Sequence, residues 1–112
     1  MTDPTSTDPD KYSVIFENDR VRVLNYRDAP GARTTPHEHP DSVMITLSSF
    51  ERRLHQGERS VDLHLDAHSV RWLDAQEHAG ENIGQSPTHV IFVELKDPSE
   101  GSGQRGAALG PS

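Results

Sequence analysis

Gly31-Ala32-Arg33-Thr34-Thr35-Pro36-His37-Glu38-His39 sets two imidazoles at i and i+2 in a segment that no helix would tolerate, because Pro36 precedes the pair and Pro40 follows it. In extended backbone alternate side chains leave the same face, so His37 and His39 point toward one place. A third imidazole from another strand would complete a metal site, and the best placed is His78, in His78-Ala79-Gly80-Glu81-Asn82. Cys is absent, so any metal must be held by nitrogen or oxygen, and disulfides and a thiol nucleophile are excluded.

The flanks of this stretch read as a succession of short strands. Tyr12 to Phe16 and Arg20 to Tyr26, separated by Glu17-Asn18-Asp19, form a hairpin pattern. Ser42 to Ser48, Phe50 to His55 and Ser60 to Leu65 follow, the last with strictly alternating apolar positions. Ser69 to Leu73 leads toward His78, and Thr88 to Lys96 is the most β-like run of the chain. No helical period of useful length and no ordinary repeat occurs, so the fold class is all-β, closed as a sandwich or a barrel to cover its sheet edges.

With 112 residues the chain has room for one compact domain. Residues 12–96 carry the strand patterns; residues 1–11 and 97–112 are polar or rich in Gly, Ser and Pro and are expected to be disordered. The formal charge of −7, from 11 Lys+Arg against 18 Asp+Glu, argues against nucleic acid or an anionic membrane as partner. No stretch approaches the roughly 20 apolar residues that span a bilayer, so a cytoplasmic protein with a small-molecule ligand is expected. The short apolar strands, Val90 to Leu95 above all, suit pairing with a second copy, and a homodimer is the expected state.

Gly31 to His39 matches G-x5-H-x-H, and His78 to Asn82 matches H-x3-N; these are the opening of the first and the close of the second cupin motif, and the chain resembles small single-domain bacterial cupins. Between them, where the second motif reads G-x5-P-x-G-x2-H, this chain has Ala67, Leu73 and Ala75 in register before His78. The first motif expects Glu three or four residues after its second His; Val43 and Met44 stand there, and Phe50 and Glu51 stand where a Gly is expected. The resemblance implies a cupin β-barrel (a double-stranded β-helix, or jelly roll) with a three-histidine site on His37, His39 and His78. It extends to small stand-alone cupins, some of which are labelled beta-alanine degradation proteins. The implied cofactor is a divalent transition metal (Fe, Zn, Ni, Cu or Co), and the implied activity is that of a metal-dependent enzyme. The ligand set also resembles that of thiol dioxygenases, whose Cys-Tyr crosslink cannot exist here.

Three imidazoles leave a bound ion its full positive charge, which favours an anionic ligand such as a carboxylate in an open coordination position. Strand parity with His37 and His39 turns Arg33 and Thr35 inward, Arg33 to pair with that carboxylate. Tyr26 is a candidate pocket hydroxyl. Glu81, out of phase with His78, becomes a general base if a bulge turns it inward, and Asn82, in phase, braces the site. Trp72 and Phe92 are expected to fill the barrel, and His55, His64, His68 and His89 to lie on the surface. The alternatives to an oxygenase or isomerase are a non-catalytic cupin that binds a small molecule or the metal as a sensor or accessory protein, and a structural barrel whose histidines bind nothing.

Overall fold

A computed structural model describes residues 3–96 of the chain. A single helical turn, α1 (Pro4–Thr7), precedes nine strands: β1 (Tyr12–Glu17), β2 (Val21–Asp28), β3 (His37–His39), β4 (Ser42–Thr46), β5 (Phe50–Gln56), β6 (Arg59–Leu65), β7 (Val70–Leu73), β8 (Gln76–Asn82) and β9 (Thr88–Leu95). They form two antiparallel sheets, one ordered β1-β2-β9-β4-β7 and the other β3-β8-β5-β6. The hairpin expected at Glu17-Asn18-Asp19 is present, its turn closed by Asn18 Oδ1, which accepts from the backbone N–H of Arg20 and Val21. Among the described residues no helix is long and apolar enough to cross a membrane.

Period-two alternation turns Leu24 and Tyr26 of β2, Met44 of β4, and Val90 and Phe92 of β9 to one side of the five-stranded sheet, where they meet Phe50 and Leu65 of the other. Each such side chain contributes about 1.5–3 kcal/mol through burial. The same inward positions also hold Ser42, Thr46, Thr88 and Glu94, all essentially inaccessible. The interior is therefore polar toward both ends of these strands, at Ser42 and Glu94 and at Thr46 and Thr88.

Asp3 caps α1 by accepting from Thr5 N–H at 2.8 Å and pairs with Arg22 at 2.9 Å, while the buried Asp8 carboxylate accepts from Thr35 N–H at 2.9 Å. A Pro at the first helical position and an Asp cap make this turn from only a few residues. One expectation is corrected here, the burial of Trp72. Trp72 is 53% exposed rather than in the core, because β7 is an edge strand whose Val70 and Trp72 face away from the other sheet. Phe92 is buried as expected. The proposed tail, residues 97–112, lies outside the described residues.

Candidate metal centre

Pro36 and Pro40 limit β3 to three residues, enough to pair with β8 in the register His37↔His78, Glu38↔Glu77, His39↔Gln76. Directly opposed residues hold their Cβ atoms roughly 5 Å apart on one face, so His37 and His78 meet by strand pairing alone. His39 joins them from the next inward position of β3. The ring centroids are 4.7 Å (His37 to His39), 5.1 Å (His37 to His78) and 5.0 Å (His39 to His78) apart, and one ring nitrogen of each lies within 4.8 Å of the others.

The second nitrogen of every ring is already engaged. His37 Nδ1 lies 2.7 Å from the Thr35 carbonyl oxygen, His39 Nδ1 3.0 Å from Glu94 Oε2, and His78 Nδ1 3.0 Å from Gln76 Oε1. Each of these oxygens only accepts, so each Nδ1 donates and each Nε2 is left as an acceptor, that of His37 facing the Tyr12 hydroxyl at 3.4 Å. Among the described residues His39 Nε2 is buried with no hydrogen-bond partner at all. A buried acceptor without a donor costs about 1–3 kcal/mol; a cation bound by His39 together with the other two imidazoles removes that cost. The residues thus fit a transition metal, since an all-imidazole set suits Fe, Zn, Ni, Cu or Co and not the oxygen-seeking Mg or Ca.

The surroundings keep His37 and His78 neutral. Burial, then the neighbouring His39, lowers the pKa of His37, and burial, then His39 and His37, lowers that of His78 to about 3. The unfolded chain binds this proton near the ordinary value of 6.5, so as pH falls the unfolded state takes it up first. Metal-free protein should therefore lose stability between pH 6.5 and about 3. Urea midpoints across that window should fall less steeply for His78→Gln than for the parent, and identical slopes would contradict the assignment.

Glu94 Oε1 accepts from Arg22 Nη2 at 2.9 Å, and Arg22 in turn reaches Asp3. Sequence reading passed over Glu94, although a lone carboxylate at the inward parity of Val90 and Phe92 marks it. Tyr12, also missed, places its hydroxyl 3.4 Å from His37 Nε2, and burial pushes its pKa far above the usual value, so it remains a hydrogen-bond donor. Of the two residues standing where the cupin motif expects Glu, Met44 faces the interior and Val43 faces outward.

Beside the histidines lies a cavity of about 160 Å³, walled largely by apolar side chains, with His37 and His78 on one part and Arg52 and Tyr26 on another. Arg52, like Glu94 and Tyr12, is a feature that sequence reading did not find. Its Nη1 donates to Asp28 Oδ2 at 2.7 Å and Thr88 Oγ1 at 3.2 Å, its Nη2 to Tyr26 Oη at 3.2 Å, and the Tyr26 hydroxyl donates to Asp28. Burial would raise the Asp28 pKa, but the hydrogen bonds from Tyr26 and Arg52 outweigh it and hold the carboxylate ionised.

This guanidinium occupies space that only glycine leaves free. A Cβ on Gly80 would lie 2.6 Å from Arg52 Nη2 and 3.2 Å from Nε. Because Asp28, Thr88 and Tyr26 hold the group in place, it cannot swing aside cheaply. Gly80→Ala should cost about 1–3 kcal/mol, measured by chemical denaturation, with full metal uptake retained; no loss of stability would show that the guanidinium is free to move.

The remaining expected site residues fall as follows. Tyr26 lines the cavity. Arg33 and Thr35 are exposed and Thr34 is buried instead, because residues 34–36 are not regular strand and the alternation slips by one before β3. Glu81 stays out of phase with His78: β8 pairs with β5 without a bulge, and Glu81 Oε1 lies 3.6 Å from His55 Nε2 on the other face. Asn82 is buried, but it braces the loop at Asp28 and Ser86, at 3.0 and 2.9 Å, and not the histidines. His64 is exposed and His55 and His89 are partly so. His68 occupies a turn at φ 68°.

No protein-family model and no curated protein sequence matches the chain. Solved structures do. A cupin domain from Bordetella pertussis Tohama I is 26% identical over 77% of this chain and 92% of that one, with a TM-score of 0.72. A conserved protein with a double-stranded β-helix domain from Klebsiella pneumoniae is 26% identical over 75% of this chain and 74% of that one, at 0.61. A cupin family protein with a double-stranded β-helix fold from Methanocaldococcus jannaschii, 11% identical over 80% and 82%, reaches 0.62. This chain has their fold, as the motifs at Gly31 to His39 and His78 to Asn82 implied.

Proposed function

We propose that this cupin-fold chain holds a divalent transition metal on His37, His39 and His78 and acts on a small carboxylate seated between that metal and Arg52. The observation that carries the reading is a cluster of three imidazoles, one ring nitrogen of each within 4.8 Å of the others, in which all three Nδ1 atoms lie against acceptors. Such oxygen partners fix ring orientation and strengthen imidazole as a ligand.

Arg52 takes the role first given to Arg33. Gly80, over which its guanidinium lies, is two residues from His78 on the same strand face, roughly 7 Å along the strand. A linear molecule of about six non-hydrogen atoms spans that distance, and an apolar cavity of ~150 Å³ accommodates benzene, of similar size. β-Alanine and related short carboxylates fall in this range. A guanidinium offers up to five N–H donors in a planar fork, and Arg52 spends three contacts on Asp28, Thr88 and Tyr26. Tyr12, held protonated, supports an anion beside the histidines.

No carboxylate lines the cavity among the described residues, since Glu81 faces away. A bound metal would supply an electrophilic centre with open positions for substrate and, if redox-active, for dioxygen. This favours an oxygenase-type reaction over an isomerisation that needs a side-chain base. The same absence also favours the second reading, a non-catalytic cupin that binds a small carboxylate as a sensor or accessory protein.

Turnover separates the two. Protein prepared without a nickel column should take up one Fe(II), Zn(II), Ni(II) or Co(II) per chain and then bind short carboxylates, β-alanine among them, by calorimetry. Loss of that binding in Arg52→Gln with metal retained is expected. Oxygen consumption by the Fe(II) form would identify the enzyme, binding without consumption the sensor, and failure to take up any of the four metals would leave a structural barrel.

A further inference from the structure

We infer that Tyr12 is a fourth ligand of the metal, its phenolate oxygen filling the place that the first cupin motif gives to a glutamate until an incoming carboxylate displaces it. The inference rests on the three-histidine reading and adds a ligand to it.

The fold fixes the hydroxyl beside the histidines. Tyr12 opens β1 opposite Tyr26 of β2, and its backbone N–H donates to the Asp8 carbonyl oxygen at 3.0 Å. Its ring packs against those of Tyr26, His37, His39 and Phe92, at centroid distances of 4.6, 5.5, 6.0 and 6.2 Å. Only 5% of the residue is exposed. A ring so enclosed holds its oxygen in one place.

The distance to His37 Nε2 selects the role. At 3.4 Å it is longer than the roughly 2.7–3.2 Å of a good hydrogen bond. Two ligands of one tetrahedral ion, with bonds of 2.0–2.1 Å, stand about 3.3 Å apart. Tyr12 Oη and His37 Nε2 are therefore spaced as two ligands are. Among the described residues this hydroxyl has no other partner.

Charge points the same way. Met44, the inward residue where the motif expects Glu, brings an uncharged thioether, and three neutral imidazoles leave a buried ion without a counter-charge. No carboxylate lines the cavity among the described residues, so a phenolate is the anion within reach. Burial disfavours a phenolate while no cation is near, and a divalent ion at bonding distance reverses that balance. As the Tyr12 oxygen binds, its O–H bond breaks and the proton passes to solvent.

Tyr12 also lines the cavity with Arg52 and Tyr26, whose hydroxyl accepts from Arg52 Nη2 at 3.2 Å. A carboxylate seated between the metal and Arg52 competes with the Tyr12 oxygen for one position. Once displaced, that oxygen takes a proton back from water and donates it in a hydrogen bond to the carboxylate, which is the protonated role described above.

Cu(II) is the probe. Imidazole ligands alone give it only weak visible absorption, whereas a phenolate ligand adds an intense charge-transfer band. The full chain loaded with one equivalent of Cu(II), its uptake measured by elemental analysis, should show this band. Tyr12→Phe should lose it while keeping the ion, with affinity lowered about 10-fold or more. Acetate, at concentrations where calorimetry shows it bound, should bleach the parent's band several-fold, a result that needs no substitution and so stands even if Tyr12→Phe does not fold. A parent that holds Cu(II) without the band would overturn the inference. The chain has two tyrosines, so a band that survives in Tyr12→Phe would belong to Tyr26 and would overturn it equally. Undiminished intensity with acetate bound would overturn the exchange. Failure of the parent to take up Cu(II) would overturn the three-histidine reading itself, and this inference with it.

Discussion

His78→Ala is expected to weaken the binding of Zn(II) or Co(II) by more than about 100-fold, the upper range for losing even an outer partner of a metal ligand. The two remaining imidazoles, His37 and His39, come from one short strand, and the other inward residues of β8, Gln76, Gly80 and Asn82, offer no imidazole or carboxylate for the vacated position. The fold should persist, because the backbone of β8 still pairs with β3 and β5. Competition against a chromophoric chelator measures the change. Unchanged affinity would locate the ion elsewhere, as at the exposed His64, which lies near Asp66 and Glu51 at 2.9 and 3.5 Å.

Arg52→Leu should have the largest effect on stability, about 3–5 kcal/mol, the usual result of stripping a buried charge of its partner. The Asp28 side chain is completely inaccessible, and Arg52 is its cationic partner at 2.7 Å. Tyr26 and Asn82 still donate to it afterwards, but neither carries charge. Against a total of about 5–15 kcal/mol for a domain of this kind, the loss is severe. Adding Asp28→Asn should recover much of it, since a neutral amide needs no counter-charge. Urea denaturation of the parent, single and double variants gives the comparison, and a single variant within 1 kcal/mol of the parent would mean that the network bears little weight.

The histidine trio was legible because every step from sequence to site is local or nearly so. A His-x-His between two prolines must be extended, and extension puts both rings on one side. The partner strand needed only one more imidazole at an inward position. Where the backbone is irregular this logic fails. Thr34 to Pro36 are not strand, so parity counted back from His37 assigned Arg33 and Thr35 to the wrong side.

The Arg52 network was hidden for another reason. Its members come from β2, β5 and β9, so their meeting depends on the order of strands in two sheets, which periodicity does not encode. Arg52 shares parity with Phe50 and Leu54, and an arginine at an inward position of a strand is the signal that was available. Trp72 was misassigned because a large aromatic is usually buried in the core; its strand presents it outward instead. Fold class needed none of these details, since Pro and Gly punctuation and period-two alternation already excluded helices.

The most direct test of the metal centre is the X-ray absorption spectrum of Zn(II)- or Co(II)-loaded protein. Three imidazole nitrogens at about 2.0–2.1 Å, with the multiple-scattering signature of their rings reduced in His78→Ala, are the predicted result. A shell of oxygen ligands without imidazole scattering, or a spectrum indifferent to His78, would contradict it.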